Sequence, residues 1–204
     1  MGLEEISFTG LLLIGFGYLL GSVSSAVLVS RMFGITDPRA AGSKNPGATN
    51  VLRIGGKKAA FLTLLGDSLK GIIPLILCYQ LNQSHWTLGF VAMAAFFGHL
   101  FPIFFHFKGG KGVATFFGVL FLLEWQLGVY AALTWLVCLW AFKISSLSAL
   151  ITAITVPFFA WFYFPHYFMI LLIICLFLVL RHHQNIRNLM GGNEHSISQH
   201  KARS

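Results

Sequence analysis

Carboxylates are nearly missing from this chain: six Asp and Glu stand against fourteen Lys and Arg in 204 residues. All charged residues together make up 10% of the sequence and hydrophobic ones 56%, whereas a soluble domain carries roughly a quarter charged residues. That shortage excludes a soluble globular fold and points to an integral membrane protein. Cysteine is scarce as well. Cys78, Cys138 and Cys175 all lie inside apolar runs, at none of the close spacings that hold metals, and read as small core residues. No alternating strand pattern recurs, so a β-barrel is excluded, and backbone in lipid must then satisfy its hydrogen bonds within helices. No lysine precedes the first apolar run, Phe8 to Val29; Glu4 and Glu5 do, and the run is too long for a cleaved signal, so it is expected to stay as the first span.

A bilayer core of about 30 Å takes close to 20 helical residues. Runs of that kind predict seven spans, at 8–30, 59–81, 87–105, 113–123, 127–142, 145–163 and 166–180, the fourth of them short. The expected fold is an all-α polytopic bundle of seven transmembrane helices, a single membrane-embedded domain over 1–204. Orientation follows from the cations. With seven spans, Arg31, Arg39, Lys44, Arg53, Lys57, Lys58, Lys108, Lys111, Lys143, Arg181, Arg187, Lys201 and Arg203 share one side, and the other holds only Glu4, Glu5 and Glu124. This places the N-terminus outside and the C-terminus in the cytoplasm.

Several catalytic patterns are also absent. No histidine has an aspartate five residues on, no Gly-x-Ser-x-Gly elbow occurs, and "KGGKG" lacks the first glycine and the final Ser or Thr of a Walker loop. The "GDSL" at Gly66–Leu69 imitates a lipase block but lies within a span with no Asp-x-x-His to complete it. Asp67 and Lys70, three apart on a helix, read instead as an intramembrane ion pair orienting the second span.

What is present concentrates in three basic segments. The first, "RMFGITDPRAAGSKNPGATNVLRIGGKK", holds between Asp37 and Lys58 four glycines, two prolines and five cations together with Ser43, Asn45, Thr49 and Asn50. Glycine lets consecutive N–H groups turn toward one anion, arginine adds bidentate contacts, and hydroxyl and amide side chains complete a phosphate's coordination. Glycine-rich loops are also ordinary turns. The second, "HFKGGKGVAT", puts Lys108, Gly109, Gly110, Lys111 and Gly112 directly before a helix N-terminus, which suits an anion. A hairpin with snorkelling lysines is the alternative, and this loop alone leaves both open. The third, "RHHQNIRNLMGGNEH", sets His182 and Asn185 on one helix face, either as a polar cap or as catalytic groups, with no ligand set for a metal.

Together "GSKNPGATNVLR", "GHLFPIFFHFKGGKG" and "RHHQNI" resemble the three cytoplasmic motifs of the acyl-phosphate:glycerol-3-phosphate acyltransferases, the PlsY family of bacterial inner membranes. The resemblance extends to "GYLLGSVSSA" and "LGDSLKG" and covers nearly the whole chain. It implies transfer of a fatty acyl group from acyl phosphate to the 1-hydroxyl of glycerol 3-phosphate, giving lysophosphatidic acid and phosphate, the first acylation of phospholipid synthesis. No metal, nucleotide or coenzyme A is implied, and no nucleic acid. The implied partners are the two substrates, the bilayer, the soluble enzyme that makes acyl phosphate and the next acyltransferase, with the chain acting as a monomer.

Carried over by position, the family's essential serine and arginine fall on Ser43 and Arg53, and its phosphate-loop glycines on Gly109, Gly110 and Gly112. Its basic phosphate ligand falls on Lys108, its third-motif histidine and asparagine on His182 and Asn185, and its structural glutamate on Glu194. Two positions depart. The usual Gly-Ser-Gly-Asn is here Gly42-Ser43-Lys44-Asn45, so Lys44 must adopt a glycine's backbone conformation or point away, and Gln184 stands where an acid is expected. Ser43 and Arg53 are assigned to the donor phosphate, and the 108–112 loop with His182 and Asn185 to the acceptor. A transporter for a phosphorylated solute is the competing class, since basic loops and helices broken at Pro74, Pro102 and Pro157 would serve it too.

Overall fold

The computed structural model describes residues 6–194 and 196, among which there are nine α-helices and no strand. They are α1 (Phe8–Gly21), α2 (Ser25–Met32), α3 (Ala48–Gln80), α4 (His85–Leu100), α5 (Val113–Leu123), α6 (Trp125–Phe142), α7 (Ser145–Tyr163), α8 (Phe168–Arg181) and α9 (His183–Met190). The helical bundle expected from composition is therefore observed. Glu4, Glu5, Lys201 and Arg203, which entered the orientation argument, lie outside the described residues.

The count of spans is coarser than the sequence suggested. Four segments, α3, α4 with the short 3₁₀ turn after it (His85–Phe105), α6 and α7, are long and apolar enough to cross a bilayer alone, and up to six spans result if each of two bent pairs is one span. These pairs are α1 with α2, bent by 42°, and α8 with α9, bent by 57°. The first predicted span thus does not run unbroken from 8 to 30; it opens at 22–24. The fourth predicted span, α5, has 11 residues, and at 1.5 Å per residue reaches about 16 Å, half a bilayer core. Pro74 and Pro157 lie within α3 and α7 without ending them, while α4 stops just before Pro102.

The chain divides into two compact units, residues up to Leu123 and residues from Glu124, each described by itself. In the first, α1 and α4 approach through small residues. A Cβ on Gly17 would stand 3.1 Å from the Val91 carbonyl, one on Gly21 would overlap the Ala95 carbonyl, and one on Gly98 would overlap the Tyr18 carbonyl. Without hydrophobic drive between helices in lipid, such backbone-to-backbone approach is what holds them. The same device joins α3 to α5, where Gly71 faces the Thr115 carbonyl and Gly118 the Ser68 carbonyl. Interhelical hydrogen bonds reinforce these faces: Thr115 Oγ1 donates to the Asp67 carbonyl at 2.8 Å and Tyr18 Oη to the Phe101 carbonyl at 2.9 Å.

The predicted ion pair is present and buried. Lys70 Nζ lies 2.9 Å from Asp67 Oδ1, with the two side chains 4% and 3% exposed. Lys70 also donates to the Val23 carbonyl at 3.0 Å, a backbone acceptor released by the break between α1 and α2. One lysine thus neutralises a buried carboxylate and satisfies the carbonyl that the broken helix leaves open.

In the second unit, α6 and α7 meet through Tyr130 stacked on Phe159, centroids 4.2 Å apart and planes 6° from parallel, and α7 meets α8 through Trp161 edge-on to Phe168. Much of α6 is exposed and apolar, including Leu133, Val137 and Trp140, as a lipid-facing helix requires.

Removing one partner of the buried pair leaves the other charge uncompensated, which costs about 3–5 kcal/mol. Asp67→Asn is expected to lower the thermal unfolding temperature in detergent sharply, and Asp67→Asn/Lys70→Met to recover only part of that loss, since the Val23 carbonyl then loses its donor. A single variant that melts with the native protein would show the pair is not buried.

Candidate active site

Loop one, 33–47, is shaped by a single asparagine. Asn50, in the first turn of α3 and 1% exposed, donates from Nδ2 to the Pro38 carbonyl at 2.9 Å and the Ala41 carbonyl at 3.0 Å, and accepts at Oδ1 from the Ser43 amide at 2.8 Å. Its amide is occupied by loop backbone. Asn50 was expected to bind a substrate phosphate; in the structure it is buried and its three hydrogen bonds hold the loop against α3.

This knot of hydrogen bonds secures the Ser43 backbone; Ser43 and Thr49 are exposed and Asn45 is half-buried. Arg53 lies half-buried on the opening segment of α3. That segment is set off from the long membrane helix by Gly56, whose φ of 79° and ψ of −177° interrupt the helix. Lys44 takes the left-handed conformation of the glycine it replaces, φ 57°, and is exposed. It therefore does both things the sequence allowed, adopting the glycine's backbone and directing its side chain outward.

Loop two returns from the end of α4 through a short 3₁₀ turn, Ile103–Phe105, and two left-handed residues, His106 and Phe107. It then lies flat on the C-terminal turn of α4. The Gly110 amide donates to the His99 carbonyl at 3.2 Å. A Cβ on Gly109 would overlap the His99 carbonyl oxygen, one on Gly110 the His99 imidazole, and one on Gly112, at φ 83°, the Phe96 ring. These glycines are thus required for close approach, and for left-handed geometry at Gly112. Lys108 is exposed and Lys111 half-buried at the loop's two ends. α5 begins at once, adding first-turn N–H groups that have no intrahelical acceptor.

The two loops meet. Gly110 lies beside the Pro46 carbonyl, 3.0 Å from where its Cβ would be, and Pro46, Gly109, Gly110, Lys70, His99 and Ser24 line one crevice. The Arg39 guanidinium lies over the Phe105 ring, 5.6 Å from its centroid, a second tie between the loops. Arg39 is itself forked onto Asp37, at 3.0 and 2.7 Å, and this hydrogen-bonded guanidinium holds the Asp37 carboxyl below its ordinary range.

In the second unit the third motif sits at the bend between α8 and α9. His182, 2% exposed, is 2.7 Å through Nδ1 from the Leu178 carbonyl. A carbonyl can only accept, so Nδ1 carries the proton and Nε2 is the basic nitrogen of the neutral ring. Asn185 Nδ2 donates to Glu194 Oε1 at 2.6 Å, and Ser146 Oγ donates to the same oxygen at 2.7 Å. Glu194 so ties the segment after α9 to the start of α7. Gln184 is exposed and pairs with Asn188 one turn on, at 3.0 Å.

The structure therefore gathers Asn45, Pro46 and the glycines of loop two into one unit, and His182, Asn185 and Glu194 into the other. His99 and Ser146 were not singled out in the sequence. His99 is embedded in an apolar run, and its only signal is the Gly-His-Leu-Phe-Pro block before the glycine loop; Ser146 had no signal beyond its position at a predicted helix start.

Comparison with known proteins shows the family and the fold. The family model described as Glycerol-3-phosphate acyltransferase matches residues 11–192. A glycerol-3-phosphate acyltransferase of Vibrio cholerae serotype O1 is 51% identical over 187 residues, covering 92% of this chain and 90% of that one. One from Methylococcus capsulatus is 52% identical over 185 residues, 90% of this chain and 93% of that one. Crystal structures of PlsY (YgiH), an integral membrane glycerol 3-phosphate acyltransferase, are similar in fold. Its glycerol 3-phosphate form gives a TM-score of 0.87 at 36% identity, covering 93% of this chain and 96% of that one. Its lysophosphatidic acid form gives 0.85 at 35% identity, covering 92% and 95%. With a match that runs from α1 to the residues beyond α9, and with the motif-bearing loops folded as described, this chain belongs to the glycerol-3-phosphate acyltransferase family.

Proposed function

We propose that this protein transfers a fatty acyl group from acyl phosphate to the 1-hydroxyl of glycerol 3-phosphate. It is a membrane glycerol-3-phosphate acyltransferase by family, and the product of the step is lysophosphatidic acid, the ligand named for one related crystal structure. The observation that carries the reading is the meeting of two glycine-bearing, cationic loops at Pro46 and Gly110, with a buried lysine and a helix N-terminus beside them. A chain this poor in carboxylates is suited to hold anions.

The chemistry needs little more. The hydroxyl oxygen forms the new ester bond to the acyl carbon, the bond from that carbon to the phosphate oxygen breaks, and phosphate leaves with the electron pair. Phosphate is a good leaving group, so no acyl-enzyme is required, and catalysis reduces to positioning and to stabilising charge on the carbonyl and the departing phosphate. Ser43 and Arg53 are assigned to the donor phosphate. Lys108, Gly109, Gly110, Lys111 and Gly112 are assigned to the phosphate of glycerol 3-phosphate, with Asn45 and Thr49 as supplementary ligands. Asn50 acts through Ser43, by holding its backbone.

The hydroxyl proton goes either to His182 Nε2 or to an oxygen of the donor's own phosphate. Asn185 orients substrate while Glu194 holds Asn185, which supports a structural role for that glutamate. Residues 1–204 act as one acyltransferase, with seven spans if α5 is counted, the N-terminus outside and the reaction on the cytoplasmic face of a bacterial inner membrane. The greasy donor enters from the bilayer and the soluble acceptor from the cytoplasm. The protein acts as a monomer, between the enzyme that supplies acyl phosphate and the next acyltransferase.

Purified protein in lipid, given palmitoyl phosphate and glycerol 3-phosphate without metal or coenzyme A, is expected to release phosphate only when both are present, with one lysophosphatidic acid formed per phosphate. Release from acyl phosphate alone, or none at all alongside glycerol 3-phosphate uptake into proteoliposomes, would overturn the transferase reading. His182→Gln separates the two proton routes. A loss of kcat of about 10²–10⁴-fold with KM for glycerol 3-phosphate unchanged is expected for a general base, and near-normal kcat assigns the proton to the donor phosphate.

A further inference from the structure

The established family accounts for loop two as a phosphate loop, but not for the buried histidine beneath it. His99 is 6% exposed, in the last turn of α4. Its carbonyl accepts the Gly110 amide at 3.2 Å, and its Nε2 occupies the space that a Cβ on Gly110 would need. A Cβ on Gly109 would overlap the same residue's carbonyl. On the other side of the ring, Nδ1 lies 3.7 Å from Asp67 Oδ1, the oxygen that pairs with Lys70. His99 thus stands between the buried ion pair and the glycine loop, and both His99 and Lys70 line the crevice that Gly109 and Gly110 border.

We infer that His99 is a positioning residue for the substrate-binding loop: its imidazole, oriented by Asp67, is the surface on which Gly109 and Gly110 are seated. The backbone hydrogen bond would form with any residue at 99. The side chain is what sets the height of the loop, because the flat ring fills the volume between α4 and Gly110 and a protein interior has no slack to absorb a change there. Asp67 faces the Nδ1 edge of the ring at 3.7 Å, a close electrostatic contact that favours keeping that edge toward α3. Lys70 in turn holds Asp67, so the seat of the loop is referred to the same contact that closes the break between α1 and α2. Such a chain of packed groups places donors within the fraction of an ångström that phosphate binding demands.

This inference rests on the reading that loop two binds the phosphate of glycerol 3-phosphate, and a double-mutant cycle tests the two separately. Gly110→Ala is expected to raise KM for glycerol 3-phosphate about tenfold or more, and His99→Ala about threefold to tenfold, with kcat in each within about threefold of the native enzyme. In His99→Ala/Gly110→Ala the added methyl enters the space the imidazole left. KM is then expected at least about threefold below that of Gly110→Ala alone, where independent effects would have multiplied. A double variant whose KM is the product of the two single effects would overturn the positioning role, because a merely structural histidine gives no such relief. Gly110→Ala with unchanged KM in folded enzyme would instead remove the loop from substrate binding and the inference with it. If His99→Ala does not fold, the cycle is run with His99→Gln, whose flexible side chain yields to the methyl; the same relief is expected and the same multiplication overturns it.

Discussion

A lysine and an aspartate shut away from water one helical turn apart are the constraint on which the first unit turns. Two ions in a low-dielectric interior persist only with close mutual contact and with their remaining hydrogen-bonding capacity satisfied. Lys70 meets both conditions by touching Asp67 and the Val23 carbonyl at once. That contact satisfies the carbonyl which the break between α1 and α2 leaves open. The break, the pairing of α1 with α4 through glycine, and the attachment of α5 through Thr115 to the Asp67 backbone all follow around one point.

The motif-bearing loops are placed mostly by buried polar side chains and by glycines. Asn50 uses its whole amide to hold Pro38, Ala41 and Ser43, and the glycines of loop two let the chain lie on α4 without a gap. Arg39 is held by Asp37 before it reaches Phe105. In each case a polar side chain or a missing Cβ determines where backbone goes, and exposed cations such as Lys108 are then carried to their positions. The second unit works likewise, with Glu194 gathering Asn185 and Ser146 so that the segment beyond α9 is tied to α7.

Apolar run length was enough to read most helices, and α7 falls on its expected limits, with Lys143 just before it and Pro165 just after it. The Asp67–Lys70 pair was legible too, since opposite charges three apart on a helix in lipid have few other uses. The break at 22–24 was not. The carbonyl it opens is satisfied by a lysine 47 residues away, and a hydropathy pattern holds no trace of so distant a partner. The loop-holding contacts of Asn50 were not legible either, because amide side chains suit phosphate and loop backbone equally. His99 was passed over because in a greasy run a single imidazole looks like filler, and its importance depends on what a return loop places against it.

Lys44 has a consequence beyond its immediate conformation. A residue with a Cβ at φ 57° pays roughly 1 kcal/mol that glycine would not, yet it also narrows the range of shapes open to the unfolded loop, as Pro38 and Pro46 do on either side of it. With Asn50 fastening the folded form, the ordering of this segment is completed when the chain folds and not when an anion arrives. A loop ordered before any ligand arrives bears little further entropic cost on binding one, at the expense of adaptability.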